Sequence, residues 1–315
     1  MTVTEMMAEA RSAVGPSVPL VGVIGSPIAH SLSPVLHQAA FAALGLDWRS
    51  LAFEVPAGEA AAALAGMGEH GIVGLSVTMP HKADVAALVP AQSDVSARLG
   101  AVNCVLNRDG ALFGTNTDGE GFVASLLRGA GFSAAGRRCL VVGAGGAARA
   151  VVLALAESGA SEVAVLNRTV ARAVAVAELA GGAGRVIEPG AGDRATSRGR
   201  GPDLEEVVAQ ADLVVNATPV GMAGGTGDEG STAAGSAGST STWIVPPELL
   251  HPGQVAADLV YVPRPTAWLA AAAEAGATTV DGLGMLVHQA AAQLALWTGL
   301  EPPVDAMWRA VADGE

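Results

Sequence analysis

The chain has 315 residues, half of them hydrophobic and only 3% aromatic, enough for two domains of ordinary size with cores of small, closely packed side chains. Thirty acidic against 17 basic residues give a net charge of −13, which argues against non-specific nucleic-acid binding and an anionic membrane surface while admitting a local basic pocket for a phosphate. Cys104 and Cys139 are the only cysteines, a usage that fits a reducing compartment rather than a metal or disulfide framework, and no run of about 18 apolar, uncharged residues is present to span a bilayer.

Residues 1–18 read as a flexible extension; Glu5 and Glu9, with no basic cluster before an apolar run, do not resemble a signal peptide. Leu20 to Ile24 is a strand-like run ending in the turn Gly25-Ser26-Pro27. Ser33 with Pro34 reads as a helix start, serine at the N-cap and proline at N1, in a helix that runs to Leu44 and stops at Gly45. Capping alone explains Ser33. Together with Ser31, however, it sets two hydroxyls beside free backbone N–H groups, an arrangement that suits a carboxylate.

Ser50 to Val55 is a second strand and Ala57 to Met67 a helix. Ile72 to Val77 is short, apolar and rich in β-branched residues, so it reads as a buried strand; Pro80 ends it and Lys82 opens a helix to Val89. A lysine at the carboxyl end of a buried strand points into the crevice where open α/β sheets bind ligands. There a desolvated ammonium becomes suited to proton transfer; the plainer alternative is a solvated lysine in a first helical turn. Gln92 to Leu99 is helical, Ala101 to Leu106 a strand, Asp109-Gly110 a hairpin turn and Ala111 to Gly114 its partner strand. Asp118 precedes a helix over Glu120 to Leu127. It is either an N-cap or the carboxylate partner of Lys82, the second if the strands before the two residues are neighbours.

Arg138 to Val142 reads as a strand, and Gly143-Ala144-Gly145-Gly146-Ala147-Ala148 turns it into a helix ending near Ser158. This is G-x-G-x-x-A between strand and helix, the context a dinucleotide fingerprint requires. Gly143 makes the tight turn, Gly145 lets a pyrophosphate approach the backbone, and Ala148 lets the helix pack closely. After the next strand, Glu162 to Leu166, an NAD site calls for an acid on the ribose 2′-hydroxyl; Asn167-Arg168-Thr169 stands there instead, with Arg172 one turn on and Arg149 on the first helix. Guanidinium groups suit a 2′-phosphate, so NADP(H) is expected over NAD(H); the alternative is that Arg168 merely begins a helix with Thr169 as cap.

Gly190 to Pro202 reads as a loop. Asp212 to Val215 is a strand ending at Asn216-Ala217-Thr218, a place for a cofactor ribose or nicotinamide. Residues 223–242, almost wholly Gly, Ala, Ser and Thr, read as a flexible insertion. Val255 to Leu259 is a strand leading to Tyr261, the chain's one tyrosine. Thr266 to Ala275 is a helix and Thr278 to Val280 a last strand running into Asp281-Gly282-Leu283-Gly284. A long helix from Met285 to Trp297 carries His288 and Gln289, and Val304 to Ala312 closes the chain. His288 reads as packing or surface, and no His/Cys/acid cluster suggests a metal.

Taken together, Ser31-Leu32-Ser33-Pro34, Val77-Thr78-Met79-Pro80-His81-Lys82, Ala101-Val102-Asn103, Asn116-Thr117-Asp118-Gly119, Gly143-Ala144-Gly145-Gly146-Ala147, Asn167-Arg168-Thr169, Asn216-Ala217-Thr218 and Asp281-Gly282-Leu283-Gly284-Met285 stand in the order seen in shikimate dehydrogenases. The resemblance spans about residues 20–310. It implies an α/β protein of two domains: an N-terminal substrate domain with a mostly parallel sheet (19–117 and 282–315) and a Rossmann domain (118–281). It also implies reduction of 3-dehydroshikimate to shikimate with NADPH, in the biosynthesis of aromatic amino acids. By motif, Lys82 and Asp118 resemble the catalytic dyad, and Ser31 and Ser33 the carboxylate-binding pair. Thr78, Asn103 and Gln289 would hold ring hydroxyls, Tyr261 would lie near the substrate carboxylate, and Gly282 would neighbour the nicotinamide. Ser76 stands where the family commonly has asparagine; being shorter, it loses one substrate hydrogen bond or bridges it by water. The expected location is cytoplasmic. The expected partners are the small-molecule substrate and, at most, a second copy in a homodimer, with no nucleic acid, membrane or metal.

Overall fold

The computed structural model describes residues 1–188, 204–222 and 245–312. The glycine-rich stretches 190–202 and 223–242 lie outside the described residues. In chain order the strands are β1 (Leu20–Gly25), β2 (Arg49–Glu54), β3 (Gly74–Val77), β4 (Ala91–Gln92), β5 (Cys104–Arg108), β6 (Ala111–Thr115), β7 (Arg138–Val142), β8 (Glu162–Leu166), β9 (Gly184–Ile187), β10 (Leu213–Asn216), β11 (Val255–Asp258) and β12 (Thr278–Val280). The helices are α1 (Val3–Val14), α2 (Ser33–Ala43), α3 (Ala60–Glu69), α4 (Lys82–Leu88), α5 (Asp94–Leu99), α6 (Asp118–Ala130), α7 (Gly146–Glu157), α8 (Val170–Ala177), α9 (Leu204–Gln210), α10 (Ala267–Glu274), α11 (Gly282–Thr298) and α12 (Val304–Ala312).

These elements form two compact units, Met1–Gly121 with Leu286–Glu315, and Phe122–Met285. The changeovers fall inside α6 and α11 because their first turns are divided in their packing. A Cβ on Gly121 would lie 2.6 Å from the Gln289 nitrogen in the first unit, whereas a Cβ on Gly284 would lie 2.8 Å from the Ser125 Cβ in the second.

The first unit has a six-stranded sheet in the order β2-β1-β3-β5-β6-β4. β1 pairs in parallel with β2 and β3, while β5 runs antiparallel to both β3 and β6. Asp109 and Gly110, both at positive φ (53° and 88°), make the two-residue turn that joins β5 to β6; an Asp-Gly pair favours such a turn because its twist matches that of the strands. The core gathers Phe53, Met67, Leu75 and Val77 with Met7 of α1.

Residues 1–18 are not a flexible extension. Thr2 and Glu5 form a reciprocal capping box, the Glu5 N–H donating to Thr2 Oγ1 and the Thr2 N–H to Glu5 Oε2. The helix this starts buries Met7 completely against α3, where Gly66 leaves room for its sulfur. Thr-x-x-Glu before an apolar periodicity was the signal for it in the sequence.

The second unit is an all-parallel sheet in the order β12-β11-β10-β7-β8-β9. Read from β7 outward on both sides, this is the doubly wound dinucleotide-binding order, which reverses between β7 and β10. Successive residues of β7 serve opposite faces: Cys139 and Val141 belong to one core, Leu140 and Val142 to the other. Both faces are covered, which is why these strands read as unbroken apolar runs. β9 and α9 were not expected from sequence; each is short and borders residues outside the described ones.

Candidate active site

Lys82 is the first residue of α4, after β3, and Asp118 the first of α6, after β6. β3 and β6 are not neighbours; β5 lies between them. Because β5 is antiparallel to both, its amino end sits beside the carboxyl ends of both. Asn103, just before β5, therefore stands between Lys82 and Asp118. Its carbonyl accepts the Val77 N–H at 2.8 Å, and its own N–H donates to the Thr115 carbonyl at 3.0 Å.

The side chains complete the junction. Lys82 Nζ donates to Asp118 Oδ2 at 2.6 Å, and Asn103 Nδ2 donates to Asp118 Oδ1 at 2.8 Å. The carboxylate is nearly buried, 7% exposed, while the ammonium keeps 25% exposure. This is the geometry of a fixed charge partner and a cation reachable from outside. Asn103 is held in turn by the Thr117 N–H, which donates to its Oδ1 at 2.8 Å. Asn116 Oδ1 accepts the Asp118 N–H at 3.0 Å. Asp118 thus spends both oxygens on side chains, not on the helix N–H groups that the capping alternative required. Gln289 and Gln293 of α11 close the cluster, with Gln289 Oε1 accepting from Gln293 Nε2 at 2.9 Å and from Asn103 Nδ2 at 3.4 Å.

The serine loop lies on the same sheet. The Ser26 N–H donates to the Met79 carbonyl at 2.9 Å and the Thr78 N–H to the Ile24 carbonyl at 2.9 Å, which ties the loop after β1 to the loop that precedes Lys82. Glu54, ending β2, accepts the Ile28 N–H at 2.8 Å. Hydrogen bonds from Ser26 and Ile28 hold its carboxyl below the ordinary range. Ser33 is inside α2 rather than at its N-cap; Leu32 occupies that position and makes no side-chain cap. The hydroxyl of Ser31 accepts the Ser33 N–H at 3.3 Å. The Ser31 hydroxyl thus takes up the first N–H of α2, while the Ser33 hydroxyl makes no side-chain cap. Ser76 is buried on β3, on the face of Gly74 and not on that of Leu75 and Val77 in the core.

In the second unit the carboxyl ends of β7, β8 and β10 lie side by side. The Gly143 N–H donates to the Leu166 carbonyl and the Ala217 N–H to the Val142 carbonyl, both at 2.8 Å. Gly143 has φ 117°, and a Cβ there would lie 2.7 Å from the Ala217 carbonyl oxygen; only glycine makes this turn. A Cβ on Gly145 or Gly146 would meet no atom within 4 Å, so the backbone of the turn is open to a close ligand. Neither α7 nor α8 has a side-chain cap, which leaves their first N–H groups available to anionic oxygens. Ala148 is wholly buried against the sheet.

Asn167 bridges to the Thr169 carbonyl at 3.0 Å. Arg168 and Arg172 follow on the exposed side, with no ion pair among the described residues. Thr218 is fixed by Asn216, whose Oδ1 accepts both its hydroxyl (2.7 Å) and its N–H (3.1 Å). These residues fit a dinucleotide carrying a 2′-phosphate.

Also in this unit, burial raises the Tyr261 phenol above its ordinary range. A Cβ on Gly282 would collide with the Leu259 carbonyl oxygen, so glycine is required there on packing grounds alone.

A family profile described as the shikimate dehydrogenase substrate binding domain matches residues 23–105; others, described as shikimate / quinate 5-dehydrogenase and the shikimate 5′-dehydrogenase C-terminal domain, match 127–221 and 282–312. A relative from Moorella thermoacetica, named shikimate dehydrogenase (NADP(+)), is 42% identical over 297 residues, 94% of each chain. The chain belongs to the shikimate dehydrogenase family. Among solved members, shikimate 5-dehydrogenase from Thermus thermophilus, in complex with NADP(H) and shikimate, has a TM-score of 0.78 at 35% identity and covers 95% of this chain and 100% of its own. A quinate dehydrogenase from Corynebacterium glutamicum, in complex with NAD, has a TM-score of 0.77 at 31% identity, with 94% and 99% covered. The two-unit α/β architecture is thus that of the shikimate dehydrogenases.

Within this family frame, the first unit brings together Lys82, Asp118, Asn103 and Gln289, and ties the loops of Ser31, Ser33 and Thr78. The second brings together the fingerprint, Asn167 and Thr218. Thr117, Asn116 and Gln293 were not singled out from sequence. The first two lay inside a quoted motif, and Gln293 sits one helical turn from Gln289, so spacing alone was the available signal.

Proposed function

We propose that the chain is an NADP-dependent shikimate dehydrogenase, interconverting 3-dehydroshikimate and shikimate, with the first unit as substrate domain and the second as cofactor domain. The observation that carries this is the Lys82–Asp118 pair at 2.6 Å in a chain of this family. Gly143, Ala144, Gly145, Gly146 and Ala147 would hold the pyrophosphate. Asn167, Arg168, Thr169 and Arg172 would hold the adenosine ribose and its 2′-phosphate, with Thr218 and Gly282 toward the nicotinamide. Bound NADPH supplies the hydride for the ketone carbon.

The protein supplies the rest. Ser31, Ser33 and Tyr261 fix the substrate carboxylate. Ser76, Thr78, Asn103 and Gln289 line the ring hydroxyls. Lys82, charged and aimed by Asp118, gives a proton from Nζ to the ketone oxygen and stabilises the alkoxide charge as it develops. In the reverse direction neutral Lys82 takes the hydroxyl proton, while Asp118 stays an acceptor throughout. An NAD-preferring quinate dehydrogenase is not favoured, since Asn167-Arg168-Thr169 offers no acid for a free 2′-hydroxyl. Cys104 and Cys139 are both free and buried, which supports a cytoplasmic location.

Lys82→Ala tests the reading. It is expected to lower kcat by on the order of 10²–10⁴-fold with NADP binding, followed by fluorescence titration, little changed. A near-normal kcat would contradict the assignment.

A further inference from the structure

α11 turns Gln289, Gln293 and Trp297, each four residues apart, toward the start of β5. Trp297 Nε1 donates to the Val105 carbonyl at 3.2 Å. Gln293 Nε2 donates to the Asn103 carbonyl at 3.1 Å and to Gln289 Oε1 at 2.9 Å. Gln293 is wholly buried, and its Oε1 has no hydrogen-bond partner among the described residues. It is out of reach of any ligand.

Amide side chains can be turned over, but here the backbone decides their direction. The Thr117 N–H can only donate, so Asn103 must present Oδ1 to it and turn Nδ2 toward Asp118 Oδ1 at 2.8 Å and Thr117 Oγ1 at 3.0 Å, with Gln289 Oε1 at 3.4 Å. The Asn103 carbonyl can only accept, so Gln293 must present Nε2 to it. The second N–H of Gln293 then faces Gln289, where only an oxygen fits. Gln289 Oε1 is thereby held inward on the Gln293 N–H at 2.9 Å, with Asn103 Nδ2 farther off at 3.4 Å. Its Nε2 turns away, with one N–H on the Leu286 carbonyl at 2.9 Å. The other N–H is the single group of that amide without a protein partner among the described residues.

We infer that Gln293 is a positioning residue: it locks Gln289 in the amide orientation that offers substrate a hydrogen-bond donor, and so selects a substrate oxygen that accepts. This rests on the reading of Gln289 as a substrate-facing residue. Gln293→Leu removes the amide, and Gln293→Met keeps its length without polar ends. Both are expected to raise the KM and the calorimetric dissociation constant for shikimate by roughly 3- to 10-fold, with the KM for NADP unchanged and kcat moved less than KM. In a Gln289→Ala background, Gln293→Leu should add nothing further. The same factor in both backgrounds would overturn the inference.

Gln289→Glu tests it without any change at Gln293. The carboxylate keeps an oxygen for Gln293 and Asn103 but replaces the outward donor by an acceptor, so shikimate affinity should fall at least as far as in Gln289→Ala. Retained affinity would overturn the inference. A wild-type chain that binds no shikimate removes the functional reading and this inference with it. A wild type that binds, with unchanged Gln293 variants, removes the inference alone.

Discussion

The direction of the Lys82 ammonium is fixed by one carboxylate, itself held from behind. Asp118 takes Lys82 on one oxygen and Asn103 on the other, so neither can shift without the third. Asp118→Asn keeps the shape but replaces the charged acceptor with a neutral amide. It is expected to lower kcat for shikimate oxidation by roughly 10- to 100-fold, the worth of a hydrogen bond between charged groups. A steady-state kcat within twofold of wild type would contradict that role. At the cofactor end, Arg168→Ala should raise the KM for NADP by roughly tenfold or more and leave the KM for NAD almost unchanged. Equal effects on both cofactors would show that Arg168 does not read the 2′-phosphate. The positions of Lys82, Asp118 and Arg168 were legible in the sequence because each follows a recognisable strand. The bridge through Asn103 was not, because it depends on β5 coming between β3 and β6, a pairing that no local pattern encodes.

At the scale of elements, helices are seated by small residues and by buried polar groups that cannot find water. Gly74 on β3 lies where a Cβ would enter the Trp297 ring of α11. Gly74→Ala forces that rigid ring outward and is expected to cost about 1–3 kcal/mol, read as a fall in the urea midpoint. On α2, His37 is completely buried, shares a 2.9 Å hydrogen bond with Ser50 and packs edge-on against Trp297. Burial lowers its pKa from the ordinary 6.5 to about 3. The folded state therefore refuses a proton that the unfolded chain binds. The stability this group contributes is complete above the ordinary pKa and is lost as pH falls through the interval down to the folded pKa. Wild type should lose stability more steeply than His37→Gln over that acid range; parallel curves of urea midpoint against pH would contradict this. Elements with strong periodicity were readable in advance. α1 was not, because its capping box sits at the start of the chain, where terminal residues are commonly loose.

For the whole molecule, the two units answer to different sequence signals. The second was legible as a Rossmann sheet from a fingerprint between strand and helix. The first was legible chiefly through short motifs in order, since its mixed sheet has no comparable local signature. No helix among the described residues is long and apolar enough to cross a membrane, and none of their acid, histidine and cysteine groups forms a metal cluster. The direct test is the initial rate of shikimate oxidation by the purified wild-type chain with NADP and with NAD in one assay. A high rate with NADP and little with NAD is the predicted result. No oxidation of shikimate with either cofactor would contradict the central claim that Lys82 and Asp118 serve a shikimate dehydrogenase.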